Sequence, residues 1–195
     1  MPELVLASAS PRRRSLLKQI GVSCIVAPSD ICEDALPNEA PEPYTCRLAL
    51  EKARHCLRHH ASEQVVLAAD TTVSIDGAIL GKPVDETDAI QMLMRLSGKT
   101  HQVITGIAVI SSQGEDVLSV VSDVEFAHLT EAMCRAYWRT CEPQDKAGSY
   151  AVQGLGAIFV KHLKGSYSSV VGLPLHETAQ LLEKHGIKVW QIDDL

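Results

Sequence analysis

VVLAADTTVSIDGAILGKP, residues 65 to 83, decides what kind of sheet this chain builds. The run VVLAAD is apolar up to its last residue, which is typical of a strand buried on both faces, as in parallel sheets. In TTVSIDGAILGKP, the dipeptide Asp76-Gly77 between two apolar runs predicts a two-residue β-hairpin, whose strands pair antiparallel. The stretch therefore predicts a mixed sheet.

Helical and strand patterns alternate along the rest of the chain. Helices are predicted at about 11–20, 43–60, 87–96, 130–141 and 175–185, and further strands at 3–8, 22–28, 102–112, 115–129 and 157–163. The two long strands should pair across Gln113-Gly114. No linker or repeat divides the sequence, so we predict one domain over residues 1–195, an α/β fold with a mixed, twisted sheet flanked by helices.

Composition narrows the class of protein. The net charge of −6 argues against a broad surface for nucleic acid or anionic membranes. The N-terminus lacks a signal-peptide pattern, and no apolar run reaches the length of a membrane span, so we expect a cytoplasmic protein. The six cysteines are scattered without a C-x-x-C motif, which favours reduced thiols.

Arg12, Arg13 and Arg14 stand where a helix is expected to begin, after Ser10 as N-cap and Pro11 at the first helical position. The helix dipole disfavours cations at this end, whereas a bound anion would make use of both the arginines and the free backbone N–H groups. Because successive residues point around the helix axis, we favour Arg12 and Arg13 as phosphate ligands. The alternative is a solubilising helix start.

Asp70 and Lys82 come from the quoted stretch. An apolar strand that delivers a lone carboxylate is typical of α/β enzymes that present an acid at a sheet edge, although an aspartate there can also cap a turn. Lys82 lies at the exit of the hairpin that begins beside Asp70, where a lysine can equally be a solvated edge residue.

The segment DKAGSYAVQG, residues 145–154, places polar side chains among glycines. The amide of Gln153 offers a donor and an acceptor and could therefore recognise the edge of a base. A tight turn with Tyr150 packed inward is the alternative.

Six segments taken in order closely resemble the Maf family of nucleotide pyrophosphatases, over nearly the whole chain. They are S-A-S-P-R-R at 8–13, L-E-K-A at 50–53, A-A-D-T at 68–71, G-K-P at 81–83, S-G-K-T-H-Q-V-I-T-G at 97–106 and D-K-A-G-S-Y-A-V-Q-G at 145–154. The resemblance implies a fold related to the inosine triphosphate pyrophosphatases (Maf/Ham1-like), with two lobes around a cleft.

The resemblance also implies hydrolysis of a nucleoside triphosphate to the monophosphate and pyrophosphate with a divalent metal such as Mg²⁺, Mn²⁺ or Co²⁺. Asp70 matches the family's catalytic base. Arg12, Thr71 and Gln153 match residues associated with base selection in the branch that acts on dTTP and UTP. A sister branch that cleaves 7-methyl-GTP lacks the D-K-A-G-x-Y-x-x-Q-G run, so this sequence sides with the pyrimidine branch.

We expect further site residues around these. The cations Arg12, Arg13, Lys52, Lys82 and Lys146, with Ser8, should bind the triphosphate in an otherwise acidic protein. Glu33, from the acidic loop, should share the metal with Asp70. We expect a homodimer that binds neither nucleic acid nor membrane. The rival interpretations are a 7-methyl-GTP pyrophosphatase and a non-enzymatic nucleotide-binding regulator of cell division.

Overall fold

The computed structural model describes residues 3–58 and 64–190. Seven strands and six helices are found there. The strands are β1 (Leu4–Leu6), β2 (Ile25–Val26), β3 (Val65–Ile75), β4 (Ala78–Leu80), β5 (Thr100–Ser111), β6 (Gly114–Phe126) and β7 (Val160–Lys164). The helices are α1 (Pro11–Gln19), α2 (Pro41–Leu57), α3 (Glu86–Leu96), α4 (Glu131–Trp138), α5 (Tyr167–Val171) and α6 (Leu175–Lys184).

The sheet is mixed, as the sequence predicts. Its strand order is β2-β1-β3-β5-β6-β7, and β4 pairs with β3 off this path. β1 pairs parallel with both β2 and β3, while β3–β4 and β6–β7 are antiparallel. The predicted hairpin turn is confirmed, because Asp76 and Gly77 have φ of 52° and 75° and a type I′ turn needs positive φ at both positions.

The chain divides into two compact units. Unit 1 comprises residues 1–70, 105–120 and 172–195, and unit 2 comprises 71–104 and 121–171. In unit 1, small and β-branched residues of β1, β3, β5 and α2 pack together, among them Val5, Ala49, Val66 and Ala108. In unit 2, the core gathers larger side chains, including Leu93, Phe126, Tyr150 and Phe159. The predicted cleft and single domain stay predictions.

The largest differences from the predicted boundaries are at β3, β2 and the segment before β7. β3 continues through the two threonines to Ile75, so Asp70 lies within the strand and not at its end. The reason is that β-branched threonines suit a pleated strand and β4 pairs with this extension. Residues 155–159 form a 3₁₀ helix, and β7 begins only at Val160. β2 covers only two residues of the predicted strand 22–28.

The helix starts follow the sequence more closely. α3 begins after Asp85, whose side chain accepts a hydrogen bond from the backbone N of Asp88, and α4 begins after Thr130, which caps Met133 in the same way. α2 begins at Pro41, two residues earlier than predicted, and the end of the predicted helix, His59 and His60, lies outside the described residues. No described helix has both the length and the apolar character needed to cross a membrane.

Candidate active site

Lys52 joins two predicted site carboxylates in unit 1. Its Nζ donates to Asp70 Oδ1 at 2.7 Å and lies 2.6 Å from Glu33 Oε1. The side chains of Lys52 and Asp70 are each 11% exposed, whereas that of Glu33 is 44% exposed. The structure thus brings together a base candidate, a metal-ligand candidate and a phosphate-ligand candidate from three separate parts of the sequence.

Close packing of β5 against α2 constrains the helix that carries Lys52. Gly106 of β5 lies against the α2 backbone, and a Cβ added there would be 2.8 Å from the carbonyl oxygen of Thr45 and 3.2 Å from Cα of Cys46. Ala49 and Ala53 of the same helix are fully buried. Small residues therefore let the helix approach the sheet, and the long Lys52 side chain reaches Asp70 from this close position.

The acidic loop that carries Glu33 is tied to α2. Tyr44 Oη donates to the carbonyl of Glu33 at 2.8 Å, and the Arg47 guanidinium makes two bonds of 2.6 and 2.7 Å to the Glu39 carboxylate. Hydrogen bonds from Arg47 lower the pKa of Glu39 to about 2. The loop is consequently anchored to α2 at Glu33 and again at Glu39.

The pKa of Tyr44 is affected by the carboxylates of the site. Burial, together with the negative charges of Asp70 and Glu33, raises the pKa of Tyr44 to about 12. Its hydroxyl therefore stays protonated at neutral pH and acts as a donor. Sequence reasoning missed Tyr44, although it precedes Lys52 by eight residues, a spacing that places both on one face of a helix.

The serine and arginine motif before α1 folds on itself. Ser8 Oγ accepts hydrogen bonds from the backbone N of Ser10 at 3.2 Å and from Arg13 Nη1 at 3.0 Å. Arg13 Nε donates to the carbonyl of Gly172 at 2.8 Å. Ser10 takes the predicted N-cap position, but its side chain makes no capping bond. The buried Ser8 hydroxyl thus binds both the backbone at the start of α1 and the Arg13 guanidinium, which explains the spacing of these residues in the motif.

The three arginines have different surroundings. Arg12 and Arg13 are half-buried and Arg14 is exposed. Burial lowers the pKa of Arg13 and the neighbouring Arg12 adds to this, while the negative charge of Asp70 opposes it. In the described parts of the chain, Arg12 has no hydrogen-bond or ion-pair partner.

The remaining predicted residues belong to unit 2. Thr71 is half-buried on β3, Lys82 is exposed two residues beyond β4, Lys146 pairs with Asp145, and Gln153 is exposed in a turn. The segments that carry the two lysines are joined, because the backbone N of Gly148 donates to the carbonyl of Gly81 at 3.0 Å. The structure thus divides the predicted site residues between the two units.

Buried aromatic contacts hold the base of the glycine-rich segment. Tyr150 packs edge-on against Phe126, with ring centroids 4.7 Å apart, and its hydroxyl lies 2.8 Å from Nε2 of His101. Gly148 has φ of 67°, and an added Cβ would be 2.9 Å from the Val73 side chain. Tyr150 therefore packs inward, as the alternative interpretation had it, while Gln153 faces solvent.

Glu142, which sequence reasoning passed over, is a half-buried residue that also contacts this segment. Its carboxylate accepts hydrogen bonds from Tyr137 Oη at 2.7 Å and from the backbone N–H groups of Leu155 and Gly156 at 2.9 and 3.0 Å. Burial raises the pKa of Glu142, but these hydrogen bonds lower it by more, so the pKa lies below its usual value. No local pattern marks Glu142, because its partners lie 5 to 14 residues away.

The carboxylates of Glu33 and Asp70 suit a divalent metal in their donor type. Both already converge on one cation, the Lys52 ammonium, at 2.6 and 2.7 Å. Mg²⁺ is commonly bound by one or two carboxylates completed by water and substrate phosphate oxygens. Within residues 3–58 and 64–190, there is no group of three or more His, Cys, Asp or Glu side chains that could hold a metal ion.

The chain is similar to known proteins over most of its length. It is 49% identical to a dTTP/UTP pyrophosphatase of Hahella chejuensis over 96% of this chain and 94% of that protein. It is 50% identical to one of Pseudoalteromonas atlantica, over 93% and 96%, and 48% identical to one of Methylobacillus flagellatus, over 97% and 96%.

A solved nucleoside-triphosphatase / dITP/XTP pyrophosphatase of Mycobacterium abscessus is 15% identical, over 93% of this chain and 94% of that one, with a TM-score of 0.46. That score is too low to support an inference. The model of the family described as Maf-like protein matches residues 3–185. Because this model matches most of the chain and the relatives are 48 to 50% identical to it, the chain belongs to the Maf family.

Proposed function

We propose that the protein is a nucleoside triphosphate pyrophosphatase that hydrolyses dTTP and UTP to the monophosphate and pyrophosphate with a divalent metal ion. The observation that carries the proposal is the pair of carboxylates, Asp70 and Glu33, held 2.7 and 2.6 Å from the Lys52 ammonium. The names of the relatives, dTTP/UTP pyrophosphatases at 48 to 50% identity, support the substrate class.

The start of α1 supplies the anion site in this proposal. The first backbone N–H groups of a helix lack partners within the helix, and the helix dipole adds positive potential there. Arg12 and Arg13 provide two guanidiniums and Ser8 a buried hydroxyl beside them. Charge-assisted hydrogen bonds from these groups suit phosphate oxygens. Lys52 adds an ammonium, and Lys82 and Lys146 are further phosphate ligands in the proposal.

The metal belongs with Glu33 and Asp70, the ligands that we propose for Mg²⁺, Mn²⁺ or Co²⁺. When bound, it neutralises charge on the phosphate oxygens and polarises the phosphorus that water attacks. Lys52 holds the two carboxylates together before this, since without a cation they would repel each other.

Asp70 is the proposed catalytic base. Phosphoryl chemistry depends mainly on positioning and charge neutralisation, so the carboxylate has to orient a water molecule and accept its proton. The Lys52 contact fixes Asp70 in one position, which suits this task. Transfer of the proton from water to Asp70 then accompanies formation of the new P–O bond and breakage of the bond between the α and β phosphates, which separates the monophosphate from pyrophosphate.

Thr71 and Gln153, with Arg12, are the proposed determinants of base choice. Uracil and thymine share an N3–H donor between two carbonyl acceptors, which a glutamine amide can match. A site that hydrogen-bonds a substrate group rejects analogues lacking it, since its own polar groups would stay unpaired. Gln153→Ala should therefore lower kcat/KM for UTP and dTTP and narrow their preference over GTP and ATP.

Product analysis with a nucleotide panel tests the function. Purified protein with Mg²⁺ or Mn²⁺ should convert UTP and dTTP to monophosphate and pyrophosphate in preference to GTP, ATP and 7-methyl-GTP. Release of diphosphate and orthophosphate would contradict the proposed reaction. Preferred cleavage of 7-methyl-GTP would favour the sister activity, and binding without turnover would favour the nucleotide-binding regulator.

We further propose that the protein works as a homodimer in the cytoplasm, with no nucleic-acid or membrane partner. The net charge of −6 supports the absence of a nucleic-acid or membrane partner, because surfaces that bind nucleic acid or anionic membranes need clustered lysine and arginine. Sedimentation equilibrium of the purified chain measures the oligomeric state directly.

A further inference from the structure

The turn that carries Gln153 is held on both sides by one pair of side chains in unit 2. Tyr137 Oη accepts from the backbone N of Ala151 at 3.1 Å, before Gln153. The Glu142 carboxylate accepts from the backbone N–H groups of Leu155 and Gly156, after it. Tyr137 and Glu142 are themselves joined at 2.7 Å. We call residues 151–156 the recognition turn.

The glycines of the recognition turn show how closely it lies against this pair. A Cβ on Gly154 would run into the Glu142 carboxylate, and a Cβ on Gly156 would be 2.6 Å from Tyr137 Oη. Gln153 between these anchors is exposed, whereas Tyr137 is buried. The backbone is thus fixed on the protein side while the Gln153 amide faces outward.

A carboxylate suits this task better than a neutral acceptor. Hydrogen bonds to an ionised acceptor are stronger than neutral ones, and one carboxylate can accept several. Glu142 uses both oxygens, with Oε1 accepting from Tyr137 and Gly156 and Oε2 from Leu155. An amide at this position would turn an N–H group toward one of these donors.

We propose that Glu142 is a positioning residue for base selection, acting through the backbone of the recognition turn to hold Gln153 in place. The inference rests on the proposed function and deepens it, because it assigns part of the base selectivity to Glu142, a residue that does not contact the base. Tyr137 has the same role from the other side of the turn.

A double-mutant cycle separates this role from a general effect on stability. Glu142→Gln should reduce the ratio of kcat/KM for UTP to that for GTP by about tenfold, the scale of one hydrogen bond to a charged group. The change should arise from a higher KM for UTP with little change in kcat, since the catalytic carboxylates are elsewhere. Combining Glu142→Gln with Gln153→Ala should reduce the ratio no further than Gln153→Ala alone.

Two further readouts guard the test. Hydrogen exchange at the amides of Leu155 and Gly156 should become faster in Glu142→Gln. Glu131→Gln, which breaks an exposed ion pair with Arg135 in the same unit, should leave both the ratio and these amides unchanged. If Glu142→Gln does not fold, Tyr137→Phe serves, because it removes only the hydroxyl, and it should reduce the ratio in the same way.

The outcomes distinguish the two claims. A wild-type protein without pyrimidine preference contradicts the proposed function, and the inference with it. A selective wild type whose Glu142→Gln variant loses activity equally on all nucleotides contradicts the inference alone. So does a double variant in which the two losses of selectivity multiply, because that result makes Glu142 independent of Gln153.

Discussion

At the residue scale, Lys52 links stability to function. It is a buried cation between two carboxylates that the proposed reaction needs, and removing one partner of such a cluster leaves uncompensated charge. The same contact that orders the site before substrate binds also keeps two like charges close together. The cost of losing Lys52 should therefore exceed that of losing an exposed ion pair.

Lys52→Met should lower the free energy of unfolding by about 3 kcal/mol, since a buried pair is broken from one side. Urea unfolding measures the loss, and adding Glu33→Gln should restore part of it by removing the repulsion. Lys161→Met is the matched control, because its partner Glu125 is an exposed surface residue and little should change. Equal stabilities of Lys52→Met and Lys161→Met would show that the buried cluster contributes nothing.

His101 gives a prediction for pH dependence. Burial lowers the pKa of His101 to about 4 from 6.5. Between these values the unfolded chain binds more protons at this residue than the folded one, so acidification from pH 6.5 to 4 should reduce stability. The contribution is complete above pH 6.5 and is lost as the pH falls to about 4.

NMR titration of the His101 ring should place its pKa near 4, and unfolding measurements on His101→Gln should show a shallower loss of stability over the same pH range. A ring that titrates near 6.5, or an unchanged slope in the variant, would contradict this effect of burial.

At the element scale, local signals explain what the sequence predicts well. Asp76-Gly77 specifies its type I′ turn and Thr130 caps α4, because each signal acts within four residues. The strand predicted at 65–70 does not end at Asp70, because it continues into the first strand of the predicted hairpin as one strand, β3. The 3₁₀ helix at 155–159 was also missed, because contacts with the distant Glu142 shape its start.

The candidate site follows the same rule. The family motifs identify Lys52 and Asp70, and the acidic loop suggests Glu33, but the spacing of these residues in the chain does not reveal that one ammonium joins both carboxylates. The contact of β5 with α2 likewise appears only in the fold, as the space left by Gly106.

Gly106→Ala tests that contact. The added Cβ would meet the α2 backbone at 2.8 Å, which cannot rotate away, so we expect destabilisation of about 1–3 kcal/mol and a lower kcat/KM as Lys52 shifts. Gly81→Ala is the control, because a Cβ there has no atom within 4 Å and the backbone is not left-handed. Thermal unfolding and UTP turnover are measured for both variants. Equal stability and equal turnover of Gly106→Ala and Gly81→Ala would contradict the role of close packing.

At the scale of the whole molecule, an acidic protein concentrates cations where an anionic substrate is expected. The chain has 24 acidic and 18 basic residues, yet the start of α1 carries three arginines and no acidic residue in its first turn. Local charge of this kind can bind a triphosphate without creating a surface for nucleic acid. With the phosphates bound by these cations, proton transfer in the proposed reaction depends on one carboxylate, Asp70.

The most direct test is the rate of pyrophosphate release from UTP by wild type and Asp70→Asn. Asparagine keeps the shape of Asp70 but cannot accept the proton from water, so the rate should fall by about a hundredfold or more. Asp76→Asn is the matched control, because asparagine tolerates the left-handed backbone of that turn and the rate should stay at the wild-type level. A folded Asp70→Asn protein that releases pyrophosphate nearly as fast as wild type would contradict the proposed role of Asp70 as catalytic base.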